Sequence, residues 1–259
     1  MTAAISETNT DSNVAKRLKA ACWHLFASIA VAALSAALVF GLWYPDAYAV
    51  LAGGVGLFLL IISVDVALGP LLTLVAYDAR KTRSHLRRDL TTIALIQLIG
   101  LGYGLHTMFV ARPVVLAAEN QLFRVVAANE IDLSELAAAP EELRQISLTG
   151  PVLVGVRSAE NGQERMEFIQ RSFEGYDGGA RPKLWQPFES SKQRVISQIK
   201  SLDGLQLCCS AKKRVSTALV KTGLPSEAVG YADVKARALG WIVLVDRVTG
   251  LPLEFVSIE

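Results

Sequence analysis

AVLAGGVGLFLLIISVDVALGPLLTLVAY, residues 49–77, is the stretch that decides the fold. Its 29 residues hold one charged side chain, Asp65, and one proline, Pro70. A helix needs roughly 20 apolar residues to cross a membrane's ~30 Å hydrocarbon core. This stretch therefore reads as a membrane span. Two more stretches meet the same length. One runs from about residue 22 to 44 and carries no charge. The other runs from about 90 to 110, with Gln97 and His106 inside it and no formal charge.

The first stretch has a competing reading as a cleaved signal peptide, with Lys16, Arg17 and Lys19 ahead of it and Ala47-Tyr48-Ala49 as the cleavage site. Its apolar run is longer than the roughly 7–15 residues of a signal's hydrophobic region, which decides for a span. Orientation follows the basic residues. Lys16, Arg17 and Lys19 precede the first span, and Arg80, Lys81, Arg83, Arg87 and Arg88 lie between the second and third. The link between the first two spans has none. The N-terminus and the 78–89 loop are thus expected in the cytoplasm, and everything after the third span on the far side. Trp43, Tyr44, Tyr48 and Tyr77 fall where an aromatic belt would place them.

The expected fold is a membrane protein of three transmembrane α-helices followed by a small α+β extracytoplasmic domain with antiparallel strands. Residues 1–20 read as a disordered cytoplasmic tail, 21–111 as the three-helix domain and 112–259 as a periplasmic α+β domain. The second half contains strand patterns at Pro113–Ala118, Leu122–Ala127 and Pro151–Val156, with a further possible strand at Met166–Phe173. Asp132 with Glu135 marks a helix start. Ser190–Lys200 and Ser210–Lys221 read as helices, and Trp241–Asp246 with Leu253–Ile258 as a hairpin.

Charge and residue types narrow the function. Up to Val110 the chain has eight Lys/Arg and six Asp/Glu; from Ala111 it has eighteen of each. A second half with no net charge lacks the electrostatic footprint of a nucleic-acid binder. All three histidines, His24, His85 and His106, lie before residue 111. Ser-His-Asp, Cys-His and histidine-zinc sites are therefore excluded from the second half. No phosphate-binding loop or nucleophile elbow appears. Glu119, Glu130, Asp132, Glu135, Glu141 and Glu142 read as a solvated acidic face. No catalytic residue, metal ligand or cofactor is assigned. Cys208 and Cys209 are adjacent and read as structural thiols rather than a redox pair, since a C-x-x-C spacing is missing.

Asp65 is the sharpest feature in the spans. An ionised acid at mid-bilayer costs about 2.5–3.5 kcal/mol on insertion scales. On the antiparallel third span, Gln97 falls about 6 Å shallower and Tyr103 about 3 Å deeper. Two readings are open: a proton or ion relay, or a polar clasp between the second and third spans. A relay needs ionisable groups in series, and their absence favours the clasp. Gly69-Pro70 predicts a kink and a freed carbonyl one turn earlier. Ala33, Ala37 and Gly41, and Gly100 with Gly104, line small-residue faces suited to close helix packing.

The run Ser63-Val-Asp-Val-Ala-Leu-Gly-Pro-Leu-Leu-Thr-Leu, then Arg87-Arg88-Asp89-Leu90, Ile96-Gln97-Leu98 and Tyr103-Gly104, resembles the TfpX/TfpZ family of type IV pilin accessory proteins. Arg112-Pro113-Val114 and Phe123-Arg124-Val125-Val126 continue the similarity, which is strong over about 40–135 and loose beyond 150. The resemblance implies a non-enzymatic inner-membrane protein that helps a cognate type IV pilin, and the pilus assembly machinery, to build or maintain surface pili. Asp65, Gly69, Pro70, Gln97 and Tyr103 match the family's pattern and are candidates for an architectural or interaction core. The partners expected are that pilin and the lipid bilayer, with no nucleic acid. The rival functions are a proton- or ion-coupled membrane protein using Asp65, and a membrane sensor subunit.

Overall fold

The computed structural model describes residues 2–78 and 81–259. Arg80 of the expected basic loop lies outside them. The chain is a membrane protein by its elements: three long apolar helices, then a domain built on one mixed sheet. It divides into two compact units. The first holds residues up to Gly41 and Val55–Phe109; the second holds Leu42–Gly54 and Val110–Glu259.

In the first unit, helix α1 runs Thr2–Leu38 and widens into a π-helical turn at Val39–Trp43. Helix α1 thus begins, at Thr2, within the stretch 1–20 read as a tail. After the short helix α2, Tyr48–Leu51, come α3, Gly54–Ala76, and α4, Arg83–Val110. Large side chains such as Trp23, Phe26, Leu34, Leu60 and Val75 face outward from these helices, as in a bundle whose solvent is lipid. Gly104 sits where α3 and α4 touch. A Cβ there would lie 2.5 Å from Ile61 Cγ2, so only glycine admits this approach. Gly41 and Gly100 have open space around them.

In the second unit the sheet order is β4-β3-β1-β2-β5-β6-β7. The strands are β1 Pro113–Ala118, β2 Leu122–Ala127, β3 Val152–Val156, β4 Trp185–Gln186, β5 Val229–Lys235, β6 Trp241–Asp246 and β7 Pro252–Ser257. The hairpins β1–β2, β5–β6 and β6–β7 are antiparallel. The joins β1–β3 and β2–β5 are parallel, so the expected antiparallel strands sit within a mixed sheet. Parallel neighbours need long crossover connections, and segments 119–151 and 128–228 supply them.

Alternate residues of β1 feed opposite faces. Leu116 and Ala118 pack with Phe123, Val243 and Val245 under helix α6, Phe188–Gln198. Val115 and Ala117 pack on the other face with Trp185 and partly buried Phe168 of helix α5, Gly162–Phe173. Helix α7, Cys209–Thr222, covers Ile242 and Leu244 on that second face through Val215 and Ala218. Burial on both faces explains why β1 shows no polar alternation.

Residues expected as a possible strand at 166–173 form part of α5. Asn161 caps it by accepting from Glu164 N at 2.9 Å, while Glu164 bonds back to Glu160 N at 2.7 Å. This cap is local chemistry that fixes a helix start.

The link between the first two long helices belongs to the sheet unit. Leu51 is fully buried among the sheet's side chains, and its carbonyl accepts from Ala238 N at 3.0 Å. The Tyr48 ring packs edge-on against Phe255, and Tyr44 is 1% exposed. Tyr44 and Tyr48 are thus core residues of this unit rather than a lipid-facing belt. The second span begins at Gly54, so the excess length of the 49–77 run belongs to the link and not to the kink at Pro70.

Truncating a fully buried leucine costs about 2–5 kcal/mol. Leu51→Ala in the detergent-solubilised full chain should lower the stability of the sheet unit by that amount, read from Trp185 and Trp241 fluorescence during denaturation. A loss of ~0.5 kcal/mol, typical of surface substitutions, would contradict a core role for the link.

Candidate functional site

Several polar residues of the three-helix unit meet between its helices. Pro70 lies inside α3 and has no N–H for the carbonyl of Val66, one turn earlier. Next to that break, Gln97 of α4 donates Nε2 to the Asp65 carbonyl at 3.0 Å. The clasp between the second and third spans therefore uses the backbone of Asp65, not its carboxylate. Gly69 makes room for it, because a Cβ there would stand 2.3 Å from Gln97 Nε2. Four of the five candidate residues thus form one constellation. Tyr103 does not join it: it is 75% exposed on α4.

α1 closes the group from a third side. His24 Nδ1 and Thr73 Oγ1 are 2.5 Å apart, and Thr73 is buried. Nearer the helix ends, Asn13 Nδ2 donates to Asp78 Oδ1 at 3.0 Å and Arg17 pairs with Asp78 at 3.6 Å. Lys81 Nζ bonds the Ala76 carbonyl at 2.9 Å and Asp89 at 2.8 Å, capping the end of α3. A cleft of about 180 Å³ opens among the three helices, with His24, Ser28, Asp65 and Gln97 as its polar lining.

The sheet unit holds a network of acid–arginine pairs. Arg181, 1% exposed, pairs with Glu135 at 2.9 Å and Glu167 at 2.5 Å and lies over the Phe168 ring. Arg171 pairs with Asp132, and Arg124 with Asp177. Arg157 grips Glu164 at 2.6 Å. The expected acidic face is therefore divided: Glu130, Glu141 and Glu142 are exposed, whereas Asp132 and Glu135 meet arginines 39 and 46 residues away. Glu119 accepts from Gly179 N at 2.8 Å. Burial pushes the Glu119 carboxyl above its usual range. It lines a cleft of about 620 Å³ with Arg157, Arg165 and Phe168. On the outer side of α5, Met166, Ile169 and Phe173 form a stripe at helical spacing and are 66%, 49% and 89% exposed. Among the described residues no three His, Cys, Asp or Glu side chains converge to hold a metal ion. Cys208 and Cys209 are free and exposed at the start of α7. Hydrogen bonding from Ser210 and the backbone at the helix start lowers the Cys208 thiol.

Two outcomes follow. Gln97→Leu removes the donor that α4 gives to the Asp65 carbonyl of α3, and interhelical hydrogen bonds in membranes average about 0.6 kcal/mol with a ceiling of about 1.7. The three-helix unit should lose that much in detergent unfolding, and undiminished stability would mean the bond is not formed. The second outcome concerns acid. The Arg157 guanidinium holds Glu164 down to about 2 from an ordinary 4.5. Hydrogen bonds from Ser134, and then Arg171, hold Asp132 low as well. Depressed acids add stability that is complete above their unfolded values and lost as pH falls through their folded ones. Glu119 has the opposite sign, favouring the fold at lower pH. Since depressed acids outnumber it, the sheet unit's thermal midpoint should fall between about pH 4.5 and pH 2. Circular dichroism of Glu164→Gln should show a shallower fall. Parallel profiles for the variant and the native chain would contradict the assignment.

No solved structure matches this chain. The family described as Fimbrial assembly protein FimB matches residues 12–53, which span most of α1 and the link up to the turn before α3. Two proteins of Dichelobacter nodosus align with it over 227 residues, covering 86% of this chain and 88% of each of theirs. They are the fimbrial assembly proteins of serogroup I, 35% identical, and serogroup E1, 34% identical. A third, of serogroups C1 and C2, is 38% identical over 116 residues, or 45% of this chain and 88% of its own. An alignment of that identity over nearly the whole length, through both the helices and the sheet, places this chain in the fimbrial assembly protein family.

Proposed function

We propose that this chain is a non-enzymatic accessory protein of type IV pilus assembly, resident in a bacterial inner membrane and acting through contact with a cognate pilin. The observation that carries the proposal is the family membership, established over both units. The resemblance of residues 40–135 to TfpX/TfpZ pilin accessory proteins supports the finer reading, that the partner is a pilin. In this reading the three helices lie beside the pilin's membrane-embedded helix, and the sheet unit meets the pilin's outer part or another assembly component. The exposed Met166, Ile169 and Phe173 stripe on α5 is a suitable contact surface.

The N-terminus is proposed to be cytoplasmic and the sheet unit periplasmic. Arg83, Arg87 and Arg88 at the start of α4 support this, since basic residues stay inside. The packing of Leu51 and Tyr48 into the sheet unit supports it independently. A link that shares a core with the sheet also shares its side of the membrane. That requires an odd number of crossings between α1's start and the sheet, as three spans give. A non-catalytic role is supported by the ion pairing of the sheet unit's acids: Asp132, Glu135 and Glu164 are held by arginines.

Site-specific photo-cross-linking in a piliated host tests this. Photoreactive residues placed at Ile29 and Leu34 on α1, and at Phe173 on α5, should yield adducts with a pilin. The absence of pilin or pilus-machinery adducts from every one of these positions would sink the reading.

A further inference from the structure

The clasp between α3 and α4 leaves one group of Asp65 unspent. Gln97 bonds its carbonyl, and among the described residues no donor meets its carboxylate. Asp65 lies eleven residues from each end of α3, Gly54–Ala76. At 1.5 Å per residue that is about 16 Å from either helix end. An ionised carboxylate at such depth is held only against a partner.

The cleft beside it has the right form to admit one. Asp65 and Ile62 of α3 line it, α1 and α4 form its walls, and its volume is about 180 Å³. Its rim is low and open: Ala27 and Val31 on α1, and Ala94 and Leu98 on α4, are exposed. The polar groups it offers are mainly acceptors. They are the Asp65 carboxylate and the Gln97 Oε1, beside the Ser28 hydroxyl, which accepts as well as donates; Gln97 spends one Nε2 hydrogen on the Asp65 carbonyl. His24 is engaged with Thr73. Acceptors and a negative charge select a donor that carries positive charge. A lipid amine sits at the headgroup level and does not reach mid-span. A side chain on another helix does.

We propose that this cleft is the docking seat for a partner's transmembrane helix carrying an ammonium side chain near its midpoint, with Asp65 as its counter-charge and Gln97 as the second acceptor. The proposal rests on the reading that the spans lie beside a partner's membrane helix, but it does not depend on that partner being a pilin.

The test uses the full chain in zwitterionic phosphatidylcholine vesicles and a designed Leu/Ala transmembrane peptide with either Lys or Leu at its centre. Association is read by energy transfer between labelled peptide and labelled protein. The Lys peptide should bind the native chain about threefold to tenfold more tightly than the Leu peptide, the range of one interhelical polar contact. That preference should shrink in Asp65→Asn, which keeps the size of the side chain, and vanish in Asp65→Leu. Equal binding of the two peptides to the native chain, or a preference that survives Asp65→Leu, overturns the proposal. Thermal unfolding of each variant alongside separates lost docking from lost fold. If the Lys preference holds and no pilin adduct forms in the cross-linking experiment, the pilin reading fails and the seat stands.

Discussion

Leu51 is the residue on which the arrangement turns. It lies between two apolar helices, in what the sequence presents as a bare connection, and it is fully buried in the core of the sheet unit. A buried aliphatic side chain contributes about 1.5–3 kcal/mol by leaving water. That gain is available only where the link and the sheet are on one side of the bilayer. The packing of a single short helix, α2, thus ties the sheet unit to the chain at two points: through α4, and through the link. The family match over residues 12–53 ends at the same place, at the turn before α3.

Within the hydrocarbon the governing rule is different. No water is available, so each backbone polar group must find a partner inside the protein. Pro70 breaks the ladder of α3 at Val66, and one residue earlier Gln97 of α4 bonds the Asp65 carbonyl, with Gly69 giving way for it. This joins the helices at mid-depth by a bond that apolar packing does not supply. It also leaves a carboxylate facing a cleft, and that geometry suits recognition of another helix better than passage of protons, because the cleft's ionisable lining consists of His24 and Asp65.

Some of this was legible in the sequence and some was not, for physical reasons. The three spans were plain because twenty apolar residues in a row have few other uses. The hairpins β1–β2 and β6–β7 were legible from apolar runs broken by short turns. Strand β5 was missed, since Gly230 and Asp233 interrupt its pattern and its hydrogen bonds come from distant β2 and β6. α5 was misread because Met166 to Phe173 mixes two apolar faces, one inward at Phe168 and one outward; the Asn161 to Glu164 cap was the available signal. Gly69, Pro70 and Gln97 were singled out by depth and kink arguments. The atom used was not, because sequence spacing sets depth but not which oxygen a side chain reaches. The pairing of Asp132 with Arg171 and Glu135 with Arg181 depends on folds spanning some forty residues and leaves no local trace.

The central proposal is that three spans carry the sheet unit to the far side of the membrane, where it would meet pilus components. The chain's own thiols test it most directly. Cys208 and Cys209 are exposed in the sheet unit, and Cys22 lies on α1 near its basic end. A Cys22→Ser variant, treated as spheroplasts with a membrane-impermeant maleimide after mild reduction, should label at Cys208 and Cys209 without lysis. Labelling that appears only after the membrane is broken would place the sheet unit in the cytoplasm and contradict the account.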